Sequence, residues 1–262
     1  MLNWFHTLPD IMIELIILVF MLGITTVLPY IIRRRFNLTP DDGLAKGAEE
    51  SFKVLISVTI LLLAFCLVRL QGDHRTTEDL VSRQAMVMLK LDRAFGAFGG
   101  TEGARLHSFL EQYAQSVLDD EWPLLIQNGR SDKTDQHLVT LAQASRELEA
   151  KGAAQQLSRT EVLKGIEQLS DLHEALLSTG RLALPELYWY AIVTSLIFFT
   201  GLAWFQSPLN KLLLYVGGVT CGISLLFALF VAHVSLFQGE SRVMATQIEK
   251  AIVHIKKTKV DG

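Results

Sequence analysis

Few residues of this chain have the type and spacing that chemistry needs, and the sharpest is Glu14, an acidic side chain inside the apolar run from Ile11 to Ile32. A carboxylate held in hydrocarbon marks an ion path or a proton site. At headgroup depth, one turn after Asp10, it would simply stay hydrated. His233, inside a second apolar run, can titrate or line a pathway, or it can serve as a hydrogen-bonded histidine between helices. The cluster Asp119, Asp120, Glu121 offers hard oxygen ligands but lacks the spaced, glycine-bearing loop of a calcium site, so it also fits a solvated break between helices. Seven histidines are scattered, with no pair three or four apart that would place two zinc ligands on one helical face. Neither a G-x-S-x-G elbow nor a glycine-rich phosphate loop occurs. These residues imply no catalytic set, no cofactor site and no metal site, and the chain is expected not to be an enzyme.

The elements that must position Glu14 and His233 are membrane spans. Leu212 to Phe237 contains no Lys, Arg, Asp or Glu, and roughly 20 apolar residues at about 1.5 Å each cross a hydrocarbon core of about 30 Å. Similar runs cover about 11–32, 52–70 and 187–205. The expected fold class is therefore an all-α membrane protein with four transmembrane helices in two hairpins, 1–70 and 186–238. Gly217, Gly218 and Gly222 give the fourth span a face for close helix packing, and Gly218 to Gly222 matches G-x-x-x-G. Half the 262 residues are hydrophobic and 19% are charged, which fits four spans plus one polar domain. A net charge of -3 excludes the basic footprint of a nucleic-acid binder. Cys66 and Cys221 lie in apolar runs and suit buried thiols.

The polar domain, 71–185, carries apolar residues at helical spacing and reads as a helical bundle inserted between spans two and three. Its first helix is expected over about 77–98, ending at Gly99-Gly100. A second presents Leu106, Phe109, Leu110, Tyr113, Val117 and Leu118 on one face until Pro123 breaks it. A third covers about 134–151. Ser158-Arg159-Thr160-Glu161 has capping-box form and opens a fourth, with an inward row of Val162, Ile166, Leu169, His173 and Leu176, a bundle core rather than a row of ligands. The tail, 239–262, is amphipathic and basic, with Met244, Ile248, Ile252 and Ile255 on one side; it would lie on the membrane surface or against the polar domain.

Four spans put both termini and the polar domain on one side of the bilayer. Arg33, Arg34 and Arg35 directly after the first span favour a cytoplasmic link and an extracytoplasmic domain. The lysine-rich tail argues the opposite.

The layout of two spans, a helical insert carrying Tyr113 and Glu121-Trp122-Pro123, then Arg181, Pro185 and Trp189 leading into two more spans, resembles the bacterial bestrophin-like domain family of uncharacterised multi-pass membrane proteins. Where that family closes the fourth span with an acidic residue and Pro-Phe-x-Gly, this chain keeps only Phe237 and Gly239. The resemblance implies a multi-pass protein of the bacterial inner membrane that forms a homo-oligomer in the lipid bilayer and acts as an ion channel of the anion type. The alternative is a non-conducting, membrane-anchored sensor or scaffold whose helical domain binds a protein partner.

Overall fold

The computed structural model of the chain describes residues 10–36, 41–125, 129–150, 152–180, 186–206, 212–233 and 243–261, and every regular element among them is helical. In order these are α1 (Asp10–Leu22), a π-helical turn (Gly23–Val27), α2 (Leu28–Phe36), α3 (Asp42–Phe98), α4 (Gly100–Ser116), a second π-helical turn (Val117–Glu121), α5 (Trp122–Leu125), α6 (Asp132–Arg146), α7 (Ala153–Gly180), α8 (Glu186–Ala203), a third π-helical turn (Leu212–Val216), α9 (Gly217–His233) and α10 (Thr246–Asp261). Contacts divide the chain into two compact units, 1–72 with 183–242 and 73–182 with 243–262, and α3 contributes residues to both.

The first unit exposes apolar side chains and buries several hydroxyls within a largely apolar core. Its core stacks Phe52 on Phe199 at 5.0 Å and sets Trp189 edge-on to Phe230 at 5.2 Å. Val19, Phe20, Val54, Phe65 and Ile197 are exposed, while the hydroxyls of Thr25, Thr26, Thr59, Ser195 and Thr220 are buried and bonded to one another. Water would penalise that arrangement and lipid favours it, since polar groups in hydrocarbon must find partners within the protein. Among the described residues three helices are long and apolar enough to cross a membrane, Glu14–Phe36, Asp42–Phe98 and Leu214–Val231, and the apolar helix Leu187–Ala203 is shorter. Cys66 is buried as expected, whereas Cys221 is exposed on α9.

Pro29 explains the first π-helical turn. Lacking an N–H, it cannot continue the i to i−4 ladder, and Leu28 N–H bonds instead to Gly23 O, five residues back. In that register the carbonyl facing Pro29 is Ile24 O, and the Trp204 indole N–H fills the gap at 3.2 Å.

The second span and the first helix of the polar domain are expected as separate elements; they are one helix. Asp41 caps it, its Oδ2 accepting from Gly43 N–H at 3.1 Å. Gly72 does not interrupt it, because one interior glycine costs only about 1 kcal/mol. Thr77 is no cap, since its hydroxyl bonds back to Asp73 O at 2.8 Å within the helix. Likewise α7 begins at Ala153, before the capping-box sequence: Gly152 turns the chain at φ 107°, and Thr160 donates to Gln156 O inside the helix.

The second unit packs α4 against α6, α6 against α7, and α10 against α4. The rows Leu138, Leu141, Ser145, Leu148 and Val162, Ile166, Leu169, His173, Leu176 are all buried, whereas Phe109 and Leu118 are only half-buried. The tail helix lies within this unit, burying Ile248, Ile252 and Ile255, and Lys256 Nζ donates to Gln115 Oε1 at 2.9 Å. Met244, expected on the inward side, precedes the helix and is exposed.

α3 turns into α4 through Gly99 and Gly100, at φ 72° and 65°. The two helices then approach so closely that a Cβ on Gly103 would sit 2.5 Å from Phe95 O, whereas one on Gly96 would meet nothing within 4 Å. Gly103→Ala gains about 1 kcal/mol of helix propensity but overpacks a backbone contact at about 1–3 kcal/mol. Thermal unfolding of the full chain in detergent is therefore expected to fall for Gly103→Ala and to hold or rise for Gly96→Ala.

Candidate functional site

The charged and polar side chains that come together in the core of the second unit start from Pro123. Sequence alone points to a helix break there. The structure instead keeps the chain helical, with Trp122 N–H bonding to Val117 O, five residues back. The widened turn carries Glu121 onto the inward side of the Tyr113–Val117 row, so that it is 1% exposed. Asp120 stays outward, paired with Lys133 at 2.9 Å, and Asp119 accepts from Gln115 at 2.8 Å. The acidic cluster is thus not one solvated break, because its last member is core.

Around Glu121 converge residues from α3, α4, α6 and α7. His173 on α7 places Nδ1 3.5 Å from Glu121 Oε2, a contact too long for a strong hydrogen bond, and 3.2 Å from Tyr113 Oη on α4. Gln84 on α3 donates from Nε2 to Tyr113 Oη at 2.9 Å. The other imidazole nitrogen, Nε2, lies 3.3 Å from Asp135 Oδ1 on α6. Arg130 grips Asp135 through both of its oxygens and reaches Glu174 at 2.7 Å. Gln84, Tyr113, Glu121 and His173 are nearly or fully enclosed, whereas Asp135 keeps a 23% exposed side chain at a surface cleft of about 280 Å³ that Arg130 and Glu174 also line. Glu121 Oε1 and Gln84 Oε1 have no hydrogen-bond partner.

The charges follow from burial and neighbours. Burial, with Asp135 beside it, pushes the Glu121 carboxyl up to about 8, against opposing pulls from Arg130 and the Ser131 N–H. Burial lowers His173, the bond to Asp135 only partly opposing it. Burial also acts to raise Asp135, but the bonds from Arg130 and His173 outweigh it and hold that carboxyl below its ordinary range. Tyr113 is raised by burial and then by Glu121, so it stays a phenol. At neutral pH the donors line up: Gln84 N–H to Tyr113 oxygen, Tyr113 O–H to His173 Nδ1, and His173 Nε2–H to the Asp135 carboxylate. Such a chain can hold and pass protons. A separate pair lies between α3 and α4, where His107 Nε2 is 2.8 Å from Asp92 Oδ1 but is not aligned as a hydrogen bond.

Of the residues singled out from sequence, Tyr113 and Glu121 meet in this cluster, next to Trp122 and Pro123. Glu14 is half-buried on α1, in the other unit. Thr25 Oγ1 lies 3.0 Å from Thr220 Oγ1 and a Cβ on Gly217 would meet Thr26, while α1 packs on α9 and the first π-helical turn on the third, so the two segments run antiparallel. Measured from that contact, Glu14 is roughly 16 Å and the backbone of His233 roughly 20 Å toward the same end of the pair. The side chain of His233 lies outside the described residues, as do Arg181, Pro185, Phe237 and Gly239. Gly218 and Gly222 are exposed on α9 with open space around them, and of the three only Gly217 faces a neighbour, Thr26 of the first π-helical turn. Among the described residues no group of three or more His, Cys, Asp or Glu could hold a metal.

Sequence reasoning misses Gln84, Arg130, Asp135 and Glu174. The available signal was His173 and Tyr113, polar side chains on two rows that are otherwise apolar.

A family model described as the bestrophin-like domain matches residues 18–248. A solved structure, described as that of a membrane protein, superposes with a TM-score of 0.66 at 11% identity, covering 96% of this chain and 97% of its own, which shows a shared fold. None of the curated proteins matches the chain.

Tyr113→Phe removes the hydroxyl between Gln84 and His173 and leaves a buried donor and acceptor unsatisfied, at about 1–3 kcal/mol. Arg130→Gln breaks pairs that are about half exposed, and such pairs contribute roughly 1 kcal/mol or less. Denaturant unfolding of the full chain in detergent should therefore show the larger loss for Tyr113→Phe.

Proposed function

The chain belongs to the bestrophin-like domain family, and from that premise we propose that it is an oligomeric membrane protein that conducts an ion, an anion by resemblance. It would cross the bilayer four times in two hairpins, about 11–32 with 52–70 and 187–205 with 212–237. The helical domain, about 71–185, then lies outside the cytoplasm and the Arg33 to Arg35 link inside it, and Glu14 and His233 are the candidate ion-path residues.

The observation that carries this reading is the first unit itself, whose outer face is apolar and whose interior holds hydroxyls from the first π-helical turn, α3, α8 and α9. A pathway between copies also needs helix faces left free for packing. Gly218 and Gly222 offer one on α9, beside exposed Leu225. The second reading, a non-conducting sensor or scaffold with a protein partner, draws support from the enclosed polar cluster of the helical unit. Both readings place the protein in the cell membrane.

Purified protein reconstituted in liposomes is expected to dissipate a chloride gradient, and Glu14→Gln is expected to change that flux. Gly218→Leu with Gly222→Leu should reduce both the oligomer measured in detergent and the flux, because bulk on that face blocks close approach. A well-folded oligomer without anion flux would favour the sensor reading.

A further inference from the structure

We infer that Glu121 and His173 form a proton-binding centre in the helical unit, with His173 relaying the proton between the enclosed Glu121 and the solvent-facing Asp135. The inference does not depend on ion conduction.

Its geometry is a line of three groups. Glu121 Oε2 lies 3.5 Å from His173 Nδ1, and His173 Nε2 lies 3.3 Å from Asp135 Oδ1. Only the last of the three reaches water, through the cleft at Arg130 and Glu174. Every side chain facing the pair has a defined part. Gln84 on α3 is neutral. Tyr113 on α4 remains a phenol. Arg130 bonds to Asp135 and Glu174 rather than to Glu121, and its pull on Glu121 is outweighed by burial and by Asp135.

With the centre filled, the proton is on Glu121 and the imidazole is neutral. His173 then donates from Nε2 to Asp135, tying α7 to α6, and accepts the Tyr113 hydroxyl at Nδ1. Emptying the centre moves two protons and releases one. The Glu121 O–H bond breaks as the Nδ1–H bond forms, and the Nε2–H bond breaks as the proton passes to Asp135 Oδ1 and on to water. The imidazole is again neutral but in its other tautomer. It now donates to the Glu121 carboxylate, and its bare Nε2 faces the Asp135 carboxylate. Lone pair against lone pair weakens the tie to α6 and strengthens the tie to the π-helical turn. The centre therefore has two arrangements, selected by pH, with different helix partners for α7.

The sign follows from the shift. A Glu121 raised from its ordinary value to about 8 favours the native state fully below the ordinary carboxylate range, and that contribution is lost as pH rises through about 8.

The test uses the full chain in detergent or nanodiscs with nitrogen-15-labelled histidine. The wild type is expected to switch the His173 resonances from the Nε2–H to the Nδ1–H tautomer as pH passes about 8. His173→Gln identifies those resonances by removing them. Glu121→Gln, which cannot ionise, should keep the Nε2–H tautomer throughout. Infrared difference spectra of the wild type alone provide a second measurement that needs no variant to fold: a protonated carboxylic-acid band should disappear over the same window. A constant His173 tautomer, a switch that survives in Glu121→Gln, or a carboxylic-acid band that titrates only in the ordinary carboxylate range would each overturn the inference.

Discussion

A proline inside a helix has no N–H to give and crowds the carbonyl four residues before it, and this chain meets that constraint twice in the same way. At Pro29 and at Pro123 the preceding residue, Leu28 or Trp122, bonds five residues back, to Gly23 or Val117. The wider turn keeps the helix running and changes which residue faces inward. After Val117, an ordinary turn would fall between Asp120 and Glu121; the extra residue settles it on Glu121. The Tyr113 and Glu121-Trp122-Pro123 pattern thus has a physical reading, in which the proline aims the acid at the tyrosine's neighbourhood.

Once Glu121 is inside, its charge state is decided by what the surroundings have already spent. One guanidinium serves the unit's core edge, and Asp135 and Glu174 occupy both of its faces. Those pairs are partly exposed and stabilise the fold little. Their larger effect is indirect, because they leave Glu121 with no cation bonded to it, and a buried carboxylate without a bonded cation lowers its cost by taking up a proton. His173 cannot supply the missing charge, since it is buried as well. The cluster is therefore built from neutral donors and acceptors at its centre, with ionised groups only at its rim.

Much of this architecture is legible from spacing alone. The apolar runs, the turn at Gly99-Gly100 and the buried rows through Leu141 and Leu169 follow from helical periodicity. What escapes has specific physical causes. Gly72 and Thr77 look like a boundary, but neither costs enough to stop a helix continued on both sides, so α3 runs on. Ser158 and Glu161 have the composition of a start, yet Gly152 had already turned the chain. Glu121 looks solvated beside Asp119 and Asp120 because a change of helical register leaves no trace in composition. Asp135 and Arg130 are ordinary surface residues in sequence, and only the fold brings them to His173.

The treatment of carbonyls released by proline also bears on the solvent around the first unit. In water a carbonyl left by Pro29 would be hydrated at little cost, and no side chain would be needed to serve it. Here Ile24 O receives the Trp204 indole N–H from α8's end, Thr25 bonds back to Met21 O at 2.8 Å, and its hydroxyl meets Thr220 on α9. Such saturation is what a helix surrounded by hydrocarbon requires, where each unpaired backbone group costs several kcal/mol. Because the Trp204 and Thr220 bonds come from other segments, they also hold the helices in register, a role that apolar contact cannot fill when the outside is as oily as the inside.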